Sequence, residues 1–184
     1  MPIRHYHPPL GLHGQIYDLS HLDPFRFEAN STKVARALRV NVRFTNHCYS
    51  ETFDPTRHEE HEPAIMDGQR RRAFCPNRYA LSHLLPGLIG GLANPGARVH
   101  ETVSRRNWMY AVTVELGAEG VRYQIFFDLR RTIDERRRFQ DLDMVVESAY
   151  PGTPDRAAPN VLGRVNFLLL AGSVYMGKPV TTRR

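Results

Sequence analysis

The chain has 184 residues, 41% of them apolar and 24% charged, and a formal net charge of +6. A domain of that size buries a real core without staples, and its two cysteines, Cys48 and Cys75, exclude a disulfide framework and favour a reducing compartment. The longest apolar run, residues 167–171, excludes a membrane-spanning helix, and Met1-Pro-Ile-Arg-His-Tyr-His-Pro-Pro has no apolar run of signal-peptide length, so a cytoplasmic protein is expected.

Lys33 and Lys178 are the only lysines, so nearly all the positive charge is arginine. It favours an anionic partner: nucleic acid, an acidic protein or a phosphorylated substrate. A GC-rich coding sequence gives the same bias with no function behind it. The chain reads as one domain, with an N-terminal extension over 1–35, a core sheet and helix over 36–151, and a C-terminal helix and basic tail over 152–184.

Within the extension, 16–27 is expected to form a short strand and a turn at Asp23-Pro24. Tyr17, Leu19, Leu22, Phe25 and Phe27 pack it on the main body. His5, His7, His13 and His21 lack regular metal-site spacing and read as solvated or locally bonded. Leu38, Val40, Val42 and Phe44 alternate with Arg39, Asn41, Arg43 and Thr45, which predicts a strand with one face on a core. Continued alternation makes Cys48 a buried small hydrophobe and puts His47 on the polar face at a strand end.

The polar connection 54–73 holds His58-Glu-Glu-His61, whose i, i+3 spacing fails the i, i+4 geometry of a zinc hydrolase helix. A looser ligand set of His47, Cys48, His58, His61 and Cys75 stays open. Arg70, Arg71 and Arg72 read as solvated surface, placed before a helix start where backbone N–H groups also favour anions.

A helix is expected over 79–93, with Leu81, Leu84, Leu85, Leu88 and Leu92 facing a sheet and Pro86 kinking it or opening a second helix. His83 lies beside that stripe, either bonded to a carbonyl or catalytic. Strands follow at 98–104, 107–116, 121–130 and 142–150, the last three alternating as a sheet with one wet face requires. Gly117-Ala-Glu-Gly120 is a hairpin loop, and the arginine-laden 131–141 connection is a mobile flap. Ser148 is in register with Leu142, Met144 and Val146, so its hydroxyl needs a partner. A helix over 160–172 precedes the basic tail. The expected fold class is α+β, an antiparallel sheet of four or more strands packed against one main helix.

The succession Leu84-Leu-Pro86, Leu92-Ala-Asn-Pro95, Arg105-Arg-Asn-Trp-Met-Tyr110, Tyr123-Gln-Ile-Phe-Phe-Asp128 and Val145-Val-Glu-Ser-Ala-Tyr-Pro151 resembles a toxin group over residues 79–151. It is similar to the metal-independent ribonuclease folds grouped as barnase–EndoU–colicin–RelE, in their phage and polymorphic-toxin forms. The resemblance implies RNA cleavage without a cofactor, the ribose 2′-hydroxyl attacking phosphorus to leave a 2′,3′-cyclic phosphate. It implies His83 as general base or acid, Arg105 and Arg106 on the phosphorane, Ser148 orienting the phosphate, and His47 or His100 as second proton-transfer group. Arg70, Arg71, Arg72, Tyr123, Arg131 and Tyr150 would bind RNA, the tyrosines by stacking. The alternatives are a non-catalytic RNA- or protein-binding module and a His/Cys metal-binding protein. The ribonuclease reading requires Arg105 or Arg106, Ser148 and a histidine to converge in one cleft.

Overall fold

The computed structural model describes residues 5–59, 63–102, 109–116, 121–152 and 161–180. Arg105, Arg106, His61, Trp108 and the loop 117–120 lie outside them.

Strands β1 (Leu10–Leu12) and β2 (Gln15–Tyr17) form a hairpin whose central residues, His13 and Gly14, have φ of 49° and 76°. Two positive φ values give the turn whose twist matches that of the paired strands. Then come β3 (Phe25–Ala29), β4 (Leu38–Phe44), β5 (Ser50–Thr52), β6 (Ile65–Asp67) and β7 (Arg70–Phe74). Helices α1 (Pro76–Ser82) and α2 (Leu85–Gly90) lead to β8 (Arg98–Thr102), β9 (Met109–Leu116), β10 (Val121–Arg131) and β11 (Leu142–Pro151). Strand β12 (Val161–Asn166) and helix α3 (Phe167–Met176) complete the order.

The main sheet has seven strands in the order β12-β8-β9-β10-β11-β4-β3, and β5-β7-β6 form a smaller sheet. Every pairing is antiparallel except β11 with β4, which run parallel. The fold is therefore α+β with mixed and antiparallel sheets. The parallel pair is possible because a long crossover, carrying the small sheet, both short helices and three strands, separates β4 from β11.

The alternation read from sequence places the core. Leu38, Val40, Val42 and Phe44 of β4 are buried, as are Tyr123, Ile125 and Phe127 of β10 and Leu142, Met144 and Val146 of β11. Helix α3 covers this face, with the Phe167 ring 6.3 Å from Phe127 and 6.0 Å from Phe27. It sits close because Gly172 has no side chain: a Cβ there would collide with the Ser31 hydroxyl. Each large ring removed from water on this face contributes roughly 2–3 kcal/mol.

Of the two outcomes expected at Pro86, the second occurs: it stands in the first turn of a separate helix α2 after α1, where its missing N–H costs nothing. Four expectations are corrected. Leu84 falls in the break and is 44% exposed, not on the sheet. Residues 161–166 are strand rather than helix: β12 pairs with β8, and Asn166 then caps α3, its side-chain oxygen accepting from Leu169 N at 3.2 Å. The 131–141 connection is tied down, with Asp141 paired to Arg36 at 2.7 Å and to Arg39 at 3.1 Å. Finally, β11 bulges at Glu147: Phe127 pairs with Val146, but Phe126 pairs with Ser148. One extra residue reverses the facing of every later position in the strand, so Ala149 takes the core position and Ser148 shares the outer face with Phe126.

Candidate functional site

The bulge is held by the turn after β4. Thr45 N donates to Val146 O at 3.0 Å and Thr45 Oγ1 to Glu147 O at 2.7 Å. Cys48 Sγ contacts Val146 O at 3.7 Å from a fully buried position, and burial pushes its thiol up to about 12. It is a packed side chain, not a nucleophile. Helix α1 supplies Arg78, whose Nη1 donates to His47 O at 3.1 Å and Ser50 O at 2.9 Å. Buried Arg72 of β7 donates from Nε to Ser50 Oγ at 2.8 Å and from Nη2 to Ser50 O at 2.9 Å.

His47 is fixed by this turn. Its Nε2 lies 2.9 Å from Asp67 Oδ2, and Nδ1 takes no hydrogen bond among the described residues. Burial lowers its pKa below the ordinary value, and the Arg72 and Arg78 cations push the same way against Asp67. The Asp67 carboxyl is held below its usual range by the hydrogen bond from His47. The contact is thus a neutral imidazole donating Nε2–H to a carboxylate, which leaves the Nδ1 lone pair available as a base.

Asp67 lines a cavity of about 500 Å³ with Tyr6, His7, Arg43, Asn46 and Tyr49. A second cavity of about 300 Å³ crosses the outer face of the sheet, lined by Arg43, Asp128, Arg130, Arg136, Asp143 and Glu147. Arg43 and Val145 line both. Its Nε is buried without a hydrogen-bond partner, and the half-buried guanidinium makes no ion pair among the described residues. Glu147 is half-buried too, and its side-chain carboxyl takes no hydrogen bond or ion pair among those residues. Burial raises its pKa, with Asp128 and Asp67 adding to the rise while Arg130 and Arg43 oppose it. Arg43 thus joins two cavities, one lined by Asp67, the partner of His47, and the other by Glu147; the Phe126 and Tyr150 rings stack at 5.4 Å and 24°. Such a set can move protons and bind an anion.

The predicted site residues do not all gather there. His47, Ser148, Arg72 and Tyr150 come to the turn and bulge. His83 goes elsewhere: it is exposed at the end of α1, stacked on His21 at 3.8 Å and 18°, beside Tyr79 at 5.0 Å. His21 in turn bonds Ser82 Oγ at 2.7 Å. Tyr123 is on the core face and fully buried, so it cannot stack on a base. Arg70 is exposed, but Arg71 lies over the Phe53 ring at 4.2 Å and Arg72 is buried, so the run is not a solvated patch. Arg131 is exposed, over the Tyr175 ring at 5.3 Å. His100 lies on the outer face opposite Ala111.

Sequence reasoning missed Asp67, Arg43, Arg78 and Glu147. Arg43 was visible as the polar-face residue of a clear strand; Glu147 carried no signal, because a bulge has no sequence period. Of the proposed metal ligands, His47 pairs with Asp67, His58 with Glu51 at 3.2 Å, and Cys48 is sealed in the core. Among the described residues no group of three or more His, Cys, Asp or Glu is placed to hold a metal ion.

No curated protein and no solved structure matches this chain. The model of the YjaZ family matches residues 7–175, so the chain belongs to the YjaZ family.

Proposed function

We propose that the chain binds RNA in the cleft lined by Arg43 and cleaves it by 2′-hydroxyl transesterification, with His47 in the role that the ribonuclease resemblance gives to His83. His47 Nδ1 takes the 2′-OH proton, and Glu147 gives its proton to the departing 5′-oxygen. Arg43 takes the non-bridging oxygens, and the Phe126–Tyr150 pair offers an aromatic edge to a base. The observation that carries this reading is the buried, partnerless Nε of Arg43. An unsatisfied guanidinium donor beside a cavity costs free energy until an anion fills it. Arg105 and Arg106 stay in the proposal as groups that would meet the phosphate from residues outside those described.

A second reading, a non-catalytic anion-binding module, is favoured by one fact: Arg72 and Arg78 already serve main-chain carbonyls. Digestion of a mixed RNA with and without EDTA separates the two. Chelator-resistant cleavage leaving 2′,3′-cyclic ends, reduced roughly a hundredfold in His47→Ala, supports catalysis. Salt-dependent binding without cutting supports the module. Neither cutting nor binding defeats both.

A further inference from the structure

The 132–141 connection is anchored from behind and open in front. Arg39 donates to Arg138 O at 2.8 Å and Arg137 O at 3.2 Å, and Arg26 donates to Phe139 O at 2.9 Å. Thr132 N donates to Asp141 O at 3.0 Å, and the Asp134 side chain caps the short 3-10 turn at Arg136 N, also 3.0 Å. These bonds hold the main chain. They leave Ile133 81% and Phe139 63% exposed, with the Arg137 and Arg138 side chains exposed and unbonded among the described residues. The anchored main chain thus presents both apolar side chains to water, where covering them would be favourable.

Aromatic and guanidinium groups offered together fit a chain of phosphates with unstacked bases. A duplex has its base faces covered and offers Phe139 nothing to stack on. The turn also adjoins the cleft: Ile133 and Arg136 line the same cavity as Arg43 and Glu147. A strand leaving that cavity meets the turn next.

We propose that the 132–141 turn is a contact surface for single-stranded nucleic acid, Phe139 stacking on an unpaired base and Arg137 and Arg138 holding the flanking phosphates. This rests on the reading of the cleft as an RNA site and names unpaired RNA as its substrate class.

The test compares the full chain with an Arg137→Ala, Arg138→Ala, Phe139→Ala variant. The main-chain anchors are untouched by these changes, and an unchanged melting temperature confirms folding. Fluorescence anisotropy is read with a single-stranded oligoribonucleotide about 15 nucleotides long, its duplex, and phosphatidylglycerol vesicles, beside cleavage of a dinucleotide too short to reach the turn. The expected result is preference for the single strand, lost about 30-fold in the variant. The slope of log affinity against log salt should fall by about 1.4, roughly 0.7 per phosphate, with dinucleotide cleavage unchanged. Undiminished affinity, preference for duplex, or a loss seen only with vesicles overturns the proposal. Loop-dependent binding by a protein that cleaves nothing leaves the turn's role standing and removes the catalytic reading. Cleavage with loop-independent binding does the reverse, and no RNA binding removes both.

Discussion

The Arg78 guanidinium lies 5.3 Å from the centre of the Tyr150 ring while bonding the carbonyls of His47 and Ser50. One side chain of α1 thereby ties the last residues of β11 to the turn that presents His47. Replacing it by alanine strands two carbonyl acceptors, and hydrogen bonds to a charged group are worth roughly 2 kcal/mol. Arg78→Ala should therefore lose about 2–3 kcal/mol in urea unfolding. Arg78→Lys should lose about 1 kcal/mol, because a point charge cannot fork between two carbonyls and lie flat on a ring. An alanine variant as stable as the parent would show the tie to be idle.

In the proposed cleavage, the pH dependence would come from the two shifted groups, each active in one protonation state. His47 acts only when neutral, and burial lowers its pKa, so the rising limb should lie below the ordinary histidine value of about 6.5. Glu147 acts only when protonated, and burial raises its pKa, so the falling limb should lie above the ordinary glutamate value of about 4.3. The product is a bell with its maximum on the acid side of neutrality. Glu147→Gln should remove the alkaline limb and lower the rate roughly a hundredfold. Asp67→Asn should lower it about tenfold, by freeing the tautomer that presents Nδ1. A profile that Glu147→Gln leaves unchanged assigns the acid elsewhere.

Where one rule decided the answer, the sequence was readable. In β4 a period of two chose the face for every residue, and burial alternates with it from Leu38 to Phe44; in β10 the least exposed residues, Tyr123, Ile125 and Phe127, keep that period, although Gln124 and Phe126 on the other face are buried as well. Val161 and Val165, four apart, satisfy a helix and a strand alike, and only the pairing of β12 with β8 settles them. The bulge at Glu147 inverted the reading of Ser148 without any local mark. The candidate site was the least legible part. Arg43, Asp67 and Glu147 belong to segments joined by the parallel pairing of β11 with β4 and by the small sheet. Non-local pairing of this kind has no signature within a window of about ten residues.

Asp141 should govern acid stability. Burial opposes its ionisation, but the hydrogen bonds from Arg36 and Arg39 overcome that and hold the carboxyl well below the usual carboxylate range. A depressed folded-state pKa gives stability that is fully present above the unfolded value of about 3.9 and is lost as pH falls through the folded one. Asp141→Asn should thus cost about 2 kcal/mol at neutral pH, since the two arginines are partly screened by water. The difference from the parent should shrink towards nothing at strongly acid pH. The variant should also be nicked by trypsin within 136–138, where the main chain is released from its anchors on Arg39 and can enter a protease. Equal stability across the whole range would contradict the assignment.

His21 should control a different window. Burial first, and then the neighbouring His83, lower its pKa to about 4. The unfolded chain takes up a proton near the ordinary value of about 6.5, before the folded one does, so stability rises with pH between those limits and is flat above them. His21→Gln, which can keep a donor towards Ser82 Oγ, should remove that slope while leaving stability near pH 8 almost unchanged. His83→Ala offers a sharper check. It deletes a like charge and the ring stacked at 3.8 Å, and both losses favour protonation of His21. NMR titration of the His21 ring should therefore move towards the ordinary value of about 6.5 in that variant; a move in the opposite direction would mean that His83 stabilises the imidazolium through its π face.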